Sequence, residues 1–186
     1  MKKILFAGAL TLAALQMNAE ESKVIRISTD QTDLILKVGE NGRLYQTYLG
    51  EKLLHEADVN RFSWDIHAGS DGSISQRGWE VYSGSGNEDY FEPAVAITHN
   101  DGNTSTYLYY MSSSTSPVEG GTQTTINLRD DKYPVDVTLH YVAYPKENVI
   151  KTWSEIKHQE KKPIILSTYA STMLYFCRSS YYLTEF

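Results

Sequence analysis

Hydrophobic and polar residues alternate along most of the chain after residue 23, with the period of two that is typical of β-strands. The clearest case is "VDVTLHYVA", in which every second residue is apolar. The apolar set is Val135, Val137, Leu139, Tyr141 and Ala143, and the intervening polar set is Asp136, Thr138 and His140. Successive side chains of a strand point to opposite faces of its sheet. The pattern therefore predicts one face on a core and one face in water.

Turn signals separate these apolar runs at short intervals. Asn41-Gly42 divides "LILKVGENGRLYQTYLG" and predicts a tight β-hairpin. We expect the same design in "EPAVAITHNDGNTSTYLYYMSS", with its turn at residues 100–103, and in "GTQTTINLRDDKYPVDVTLHYVAYP", with its turn near Asp130-Asp131. Further strands are expected in "NVIKTWSEIKH" and "KKPIILSTYASTMLYF". This succession predicts an all-β fold, a large antiparallel β-sandwich of two packed sheets.

The stretch from Leu53 to Ser85 is the least regular part of the chain. It is rich in Gly, Ser, Asp and Asn and contains "HAGSDGSISQRG", without convincing helical periodicity. Apolar residues nevertheless interrupt it, namely Phe62, Trp64, Ile66, Trp79 and Val81. We therefore expect long loops with one strand at most, packed on the domain, and not a linker.

The first nineteen residues have the organisation of a signal peptide. Lys2 and Lys3 precede an apolar run from residue 4 to 15, and Ala19 is a suitable residue before a cleavage site. The run is shorter than the roughly 20 residues that a membrane-spanning helix needs. We expect a signal peptide at residues 1–19 and a β-sandwich domain at residues 20–186, exported to the periplasm or secreted.

The charge of the chain argues against polyanionic partners. Cleavage after Ala19 would leave 186 − 19 = 167 residues, with 17 − 2 = 15 basic and 23 acidic side chains, a net charge of −8. An acidic protein is repelled by nucleic acid and by anionic membrane surfaces. We therefore expect neither nucleic acid nor a membrane as a partner.

Motifs for metal or cofactor chemistry are not found in the sequence. Histidine occurs at His55, His67, His99, His140 and His158, in no HExxH arrangement, and we expect surface or strand histidines. The single cysteine, Cys177, lies in "TMLYFC" and is expected to be a buried, inert thiol. The Gly-x-Gly in "GSGNED" lacks a following helix, so neither a metal nor a cofactor is expected.

Glycoside hydrolysis would need two carboxylates about 5–10 Å apart. The sequence offers many acidic residues but no way to choose a pair. Asp65 follows a tryptophan in "SWDIHAG", yet no barrel strand precedes it and no helix comes after it, so a structural role is the better interpretation.

The stretch "NEDYFEPAVAIT" places acidic and aromatic residues at the start of a strand. Aromatic rings can stack on a pyranose and carboxylates can accept its hydroxyl protons, so Asp89, Tyr90 and Phe91 are candidates for substrate binding. An ordinary surface turn is the alternative. Glu92-Pro93 is more simply explained by conformation, since proline fixes its own φ and keeps the preceding residue extended.

This stretch and the residues on its C-terminal side resemble the N-terminal domain of α-galactosidases of glycoside hydrolase family 36. The resemblance rests on a glycine-rich approach (Gly84 and Gly86), the step Asp89-Tyr90-Phe91, Glu92-Pro93-Ala94 with its strand, and Asp101-Gly102. It continues through "INLRDDKYPVDVTLHYVAYPKENVIKTWSEIKH" and reaches "YYLTEF", covering about residues 25–186. Where the family has an arginine between the aromatic residue and Glu-Pro, this chain has Tyr90-Phe91.

The resemblance implies a large β-sandwich that precedes a (β/α)₈ catalytic barrel. It implies retaining hydrolysis of terminal α-linked galactose by two barrel aspartates, whose motifs do not occur in this sequence. The implied partners are α-galactoside oligosaccharides, the catalytic barrel of a full-length protein and further copies in a homo-oligomer. In oligomeric members, loops of this domain reach a neighbouring active site, which is the role implied for Asp89, Tyr90 and Phe91.

Two other interpretations stay open at this point. The chain could be a stand-alone carbohydrate-binding sandwich module, which would bind glycans without cleaving them. It could also be a truncated gene product, because it stops in the strand-like "RSSYYLTEF". On the family interpretation, the isolated chain is expected to hydrolyse no α-galactoside.

Overall fold

The computed structural model describes residues 23–61, 79–86 and 92–176. Ten strands and one short helix lie within these ranges. The elements are β1 (Val24–Ser28), β2 (Thr32–Val38), β3 (Leu44–Glu51), α1 (Glu56–Arg61), β4 (Trp79–Glu80), β5 (Val95–Thr98), β6 (Leu108–Val118), β7 (Gly121–Asp130), β8 (Val135–Tyr144), β9 (Val149–His158) and β10 (Ile165–Tyr169). The predicted signal peptide and Cys177 fall outside the described residues.

The strands form three sheets with antiparallel neighbours. Sheet A has the order β1-β2-β3-β4, sheet B the order β10-β5, and sheet C the order β6-β7-β8-β9. Sheets A and C are meanders, because strands that are consecutive in the chain pair directly. Sheet B joins strands that lie far apart in the sequence. The predicted all-β antiparallel sandwich is confirmed.

One hydrophobic core joins the three sheets. Sheet C contributes the alternate residues of β8 that the sequence pattern singled out, each at most 3% exposed. Ile25, Leu34 and Leu44 enter the same core from sheet A, and Val95 and Ile97 enter it from sheet B. Burial of this apolar surface is the main force that holds the sheets together.

Two of the three predicted hairpins are confirmed. β2 and β3 pair across Asn41-Gly42, where Gly42 has a φ of 75°. β7 and β8 pair across the turn that follows Asp130. In β7 and β8 buried apolar residues alternate on the core face, which fixes the register of pairing. In β2 the consecutive residues Leu34, Ile35 and Leu36 are all buried.

The hairpin predicted around residues 100–103 is wrong, although the turn itself is present. The His99 amide donates to Asn103 O, and the Gly102 amide donates back to His99 O. Beyond this turn β5 pairs with β10, whereas β6 pairs with β7. The connection crosses from sheet B to sheet C because residues 103–107 form no ladder with β5. Instead the Thr106 amide donates to Ser85 O, which draws the chain away.

The irregular stretch contains an element that the sequence pattern did not predict. α1 is a six-residue helix with acidic residues in its first turn and a buried Val59. β4 is the short strand expected in this stretch, and it closes the edge of sheet A by pairing with β3. None of the helices among the described residues is long and apolar enough to cross a membrane.

Candidate functional site

The predicted site residues Asp89, Tyr90 and Phe91 lie outside the described residues, but both ends of their loop are described. On the first side, Gly84 forms a parallel bridge with Val95. The Ser85 amide donates to Val95 O at 3.0 Å, and the Ser85 hydroxyl donates to Thr104 O at 2.6 Å. The loop therefore starts from a fixed point at the junction of sheets B and C.

The two glycines at this point are required by space and by backbone conformation. A Cβ added at Gly84 would lie 2.1 Å from Thr106 O, far inside any allowed contact. Gly86 has a φ of 80°, and a Cβ there would meet the Ser105 side chain at 2.5 Å. Glycine is the residue that tolerates both conditions. The glycine-rich approach found in the sequence thus has a packing function.

On the second side, the chain enters β5 through Glu92-Pro93-Ala94. Glu92 is exposed and Ala94 is buried, with 1% of its surface exposed. The Ala94 amide donates to the Ser83 hydroxyl at 3.3 Å, and Ala94 O accepts from the Ala170 amide at 2.8 Å. These contacts fix Ala94 at the entry to β5, and the conformational role of Glu92-Pro93 stays a prediction.

A polar cluster lies beside the first end of the loop, between the turn after β5 and the turn after β9. His99 Nδ1 and Glu160 Oε1 are 2.7 Å apart, and their side chains are 0% and 1% exposed. The other carboxylate oxygen of Glu160 accepts from the Asn100 amide at 2.9 Å and from its Nδ2 at 2.7 Å. Tyr133 stacks on the His99 ring, and its hydroxyl donates to Asp101. The cluster ties two connections that are 61 residues apart.

The charge of Glu160 is stabilised in place by its donors. Burial raises the pKa of this carboxyl, but the hydrogen bonds from His99 and from the Asn100 amide outweigh burial, so the pKa lies below its usual value. The carboxylate is therefore the stable form, and it is fully engaged by His99 and Asn100. Such a group is suited to holding loops together and poorly suited to proton transfer.

Other buried carboxylates of the described residues are engaged in the same way. Asp33 accepts from Arg26 at 2.7 and 3.2 Å. Asp130 accepts from two backbone amides in the turn before β8 and from a third, that of Tyr107, just before β6. Glu80 forms a buried bidentate pair with Arg43. Since all three have structural donors, they offer no evident acid–base pair for glycoside cleavage. The described ranges also contain no cluster of three His, Cys, Asp or Glu side chains that could hold a metal ion.

A second feature is an apolar, exposed surface on β10 and the segment after it. Its members are Ile165 (64% exposed), Leu166 (41%), Tyr169 (70%), Leu174 (40%) and Phe176 (56%). Within the described part of the chain, β10 has a ladder with β5 alone, so its other edge is open. Long apolar edges are normally covered in native proteins, because they pair and aggregate. This surface therefore has the character of an interface.

The C-terminal strap (residues 170–176) is held against the domain by side chains of sheet A. Gln46 Nε2 donates to Tyr175 O at 2.6 Å, while Gln46 Oε1 accepts from the Tyr175 amide at 3.1 Å. The side-chain amide thus takes the place of a neighbouring strand. Trp79 stacks on Tyr175 with ring centroids 5.8 Å apart, and Ser154 on β9 donates to Ala170 O. These contacts hold residues 170–176 against sheet A and β9.

The sequence did not predict the His99–Glu160 contact or the Gln46–Tyr175 contact, because the two partners in each are far apart along the chain. His99 was expected to be an ordinary surface or strand histidine, but it is buried at the end of β5. His140 lies on β8 as a strand histidine, and His55 and His158 are exposed. No sequence motif links His99 to Glu160 or Gln46 to Tyr175. The sequence shows only a polar residue within a strand (Gln46) or at the end of one (His99), and nothing in it indicates the partner.

Comparison with known families gives one match that covers most of the chain. The sequence matches the profile of the glycosyl hydrolase family 36 N-terminal domain over residues 42–186. The matched range begins at the β2–β3 turn and includes the loop ends, the polar cluster, β10 and the strap. No curated protein sequence is significantly similar to the chain.

Solved structures share the fold. The α-galactosidase AgaA from Geobacillus stearothermophilus superposes with a TM-score of 0.69 at 19% identity, covering 81% of this chain and 24% of the enzyme. AgaB from the same organism gives 0.67 at 22% identity, with 82% and 24% coverage. The α-galactosidase from Lactobacillus brevis gives 0.67 at 17% identity, with the same coverage as AgaB. The chain spans about a quarter of the length of these enzymes.

Proposed function

Because the chain belongs to glycoside hydrolase family 36, whose N-terminal domain it carries over residues 42–186, we propose that it is the non-catalytic N-terminal β-domain of an exported α-galactosidase. In this role it packs against a catalytic barrel, supports assembly into a homo-oligomer, and leaves hydrolysis of terminal α-linked galactose to aspartates of the barrel. The family match is the observation that carries the proposal.

The apolar surface of β10 supports a packing role. Tyr169 and Ile165 expose most of their side chains, which costs free energy in water at about 25 cal/mol per Å² of apolar surface. The surface continues into the C-terminal strap, whose position is fixed by Gln46. A barrel that follows the strap in the longer protein would cover this surface directly.

The loop between Gly86 and Glu92 is the proposed point of contact with substrate. Asp89, Tyr90 and Phe91 would stack on and hydrogen-bond an α-galactoside held by a neighbouring subunit. The rigid ends of the loop support this role, since a loop on fixed ends loses less conformational entropy on binding than a free one. The signal-peptide pattern of residues 1–19 supports export.

The packing role is tested by the double variant Ile165→Asp/Tyr169→Asp, made both in this chain and in the full-length gene product. In the isolated chain both side chains are exposed, so thermal unfolding should change little. In the longer protein the new charges would be buried against the barrel, so its unfolding temperature and its hydrolysis of an aryl α-galactoside should both fall.

Val149→Asp is the matched control, because Val149 is 49% exposed but lies at the start of β9, away from β10. It should leave both proteins unchanged. If the double variant left the longer protein as stable and as active as its parent, the proposed packing surface would be wrong.

A further inference from the structure

The solvent-facing side of sheet C carries an aromatic pair at its edge. Trp153 on β9 and His140 on β8 are direct cross-strand neighbours, and their rings stack with centroids 4.6 Å apart and an angle of 9° between the planes. Cross-strand pairs of this kind lie on the same face of the sheet. This is the face opposite the core, because Leu139 and Tyr141 on either side of His140 are buried.

The His140 ring is fixed from two directions. Its Nδ1 lies 3.2 Å from Gln123 Nε2 and 3.4 Å from the Thr125 hydroxyl. Its Nε2 lies 3.2 Å from a carboxylate oxygen of Glu155, close but not aligned as a hydrogen bond. With its side chain only 11% exposed, His140 is a rigid support for one face of the indole.

The other face of the indole looks past the edge of the sheet. β9 is the terminal strand of sheet C among the described residues, so no strand stands beyond Trp153. Lys151 and Glu155 flank it at two residues before and after on the same face, roughly 7 Å away along the strand in each direction. Lys151 Nζ lies over the indole ring in a cation–π contact, 5.5 Å from its centroid, and both flanking side chains are exposed.

We propose that Lys151, Trp153 and Glu155 form a binding site for a neutral pyranose saccharide. His140 supports one face of the flat indole. The exposed Lys151 side chain over the ring can move aside, and the C–H groups of a sugar ring can then pack against the indole. The Glu155 carboxylate can accept hydrogen bonds from hydroxyl groups, and the Lys151 ammonium can donate to ring or hydroxyl oxygens. Because charges of both signs flank the ring, a neutral sugar fits better than an acidic one.

The proposed site binds a sugar and does not cleave it. The proposal does not depend on whether the chain is part of a hydrolytic enzyme. Contact is limited to one ring and two side chains, so we expect millimolar affinity. In a longer glycosidase such a site would hold a distal part of an oligosaccharide and raise its local concentration.

The test is a titration of the 186-residue chain with raffinose and with methyl α-galactopyranoside, followed by the indole N–H signals in ¹H–¹⁵N spectra. The chain has three tryptophans, and the signal lost in Trp153→Ala assigns the relevant one. We expect saturable shifts of the Trp153 signal, with the other two signals unmoved. Sorbitol, which has no pyranose ring, is the control ligand and should cause no shift.

Trp153→Ala should abolish binding, and Lys151→Ala/Glu155→Ala should weaken it about tenfold or more, a change of one unit in log Kd. The double variant changes only exposed side chains, so it decides the question even if Trp153→Ala does not fold. Asn127→Ala, on β7 of the same face, should bind like the parent. Equal shifts with sorbitol, binding that survives both variants, or a concentration-dependent dimer that Trp153→Ala dissolves would overturn the proposal.

Discussion

Replacing Glu160 tests whether the polar cluster holds together the turn after β5 and the turn after β9, beside the segment that carries Asp89, Tyr90 and Phe91. Glu160→Ala removes the acceptor of His99 Nδ1 and of both donors of Asn100. His99 then keeps its weaker contact, 3.3 Å from the Thr106 hydroxyl, and one buried nitrogen is left without a partner.

The expected cost depends on the burial of the pair. Leaving the donor of a buried hydrogen bond without its carboxylate acceptor costs about 1–3 kcal/mol. The Asn100 donors are exposed and can turn to water, so we expect about 2 kcal/mol, mainly from the buried His99 contact. In a domain of 150–250 residues each kcal/mol lowers the unfolding temperature by about 2–4 °C. Thermal unfolding measured by circular dichroism should therefore show a fall of roughly 4–8 °C.

The stabilisation that the Glu160 carboxylate contributes should decrease as the pH falls. The pKa of Glu160 in the folded chain lies below its usual value of 4.5, because its hydrogen bonds outweigh burial. The unfolded chain then binds more protons than the folded chain as the pH falls through 4.5, and the stabilisation is lost. The gap between parent and Glu160→Gln should be largest near neutral pH and should shrink below pH 4.5.

Glu147→Gln, at an exposed site in the turn before β9, is the matched control and should change nothing. The reasoning is refuted if Glu160→Ala unfolds within about 2 °C of the parent, a loss below about 1 kcal/mol. It is also refuted if the gap for Glu160→Gln is the same at low and neutral pH.

Variants at three further sites, with their controls, test other parts of the structure. Arg43→Met leaves the Glu80 carboxylate buried without its bidentate partner and should cost about 3–5 kcal/mol by urea unfolding, much of it recovered when Glu80→Leu is added. Gly84→Ala should cost about 2 kcal/mol or more by the same assay because the new Cβ clashes with backbone; Gly102→Ala, where the space is open and φ is +89°, should cost about 1 kcal/mol. Gln46→Leu should speed amide exchange in the C-terminal strap about tenfold or more in hydrogen-exchange mass spectrometry, with no comparable change in β7 or β8.

The local part of the fold can be predicted from sequence pattern because the physical cause is local. In β8 each apolar residue of the alternating set from Val135 to Ala143 faces the core, and a shift of one residue would turn all of them to water. The Asn41-Gly42 turn is equally local, since a positive φ at Gly42 suits the twist of the strands it joins.

The pairing of distant strands could not be predicted in this way. β5 and β10 are separated by the whole of sheet C, and no local signal distinguishes that pairing from a β5–β6 hairpin. The turn residues were identified correctly, but Thr106 bonds to Ser85 and redirects the chain. Long-range contacts of this kind form only once the sheets have packed.

For the candidate site, too, the local motif could be predicted from the sequence and the contacts between distant residues could not. The aromatic and acidic step at Asp89-Tyr90-Phe91 was visible as a motif, and its role remains a prediction. The His99–Glu160 pair and the Trp153–His140 stack depend on the register of connections and strands. Each consists of ordinary residue types whose meaning comes only from their neighbours in space.

The most direct test of the central claim is the intact mass of the native gene product, measured on the same fraction that is assayed against an aryl α-galactoside. If the chain is the N-terminal domain of a larger enzyme, the active fraction should have a mass several-fold above the 21.1 kDa of this chain. The isolated chain should show no turnover. A native product no larger than 21.1 kDa, or hydrolysis by the isolated chain, would contradict the account.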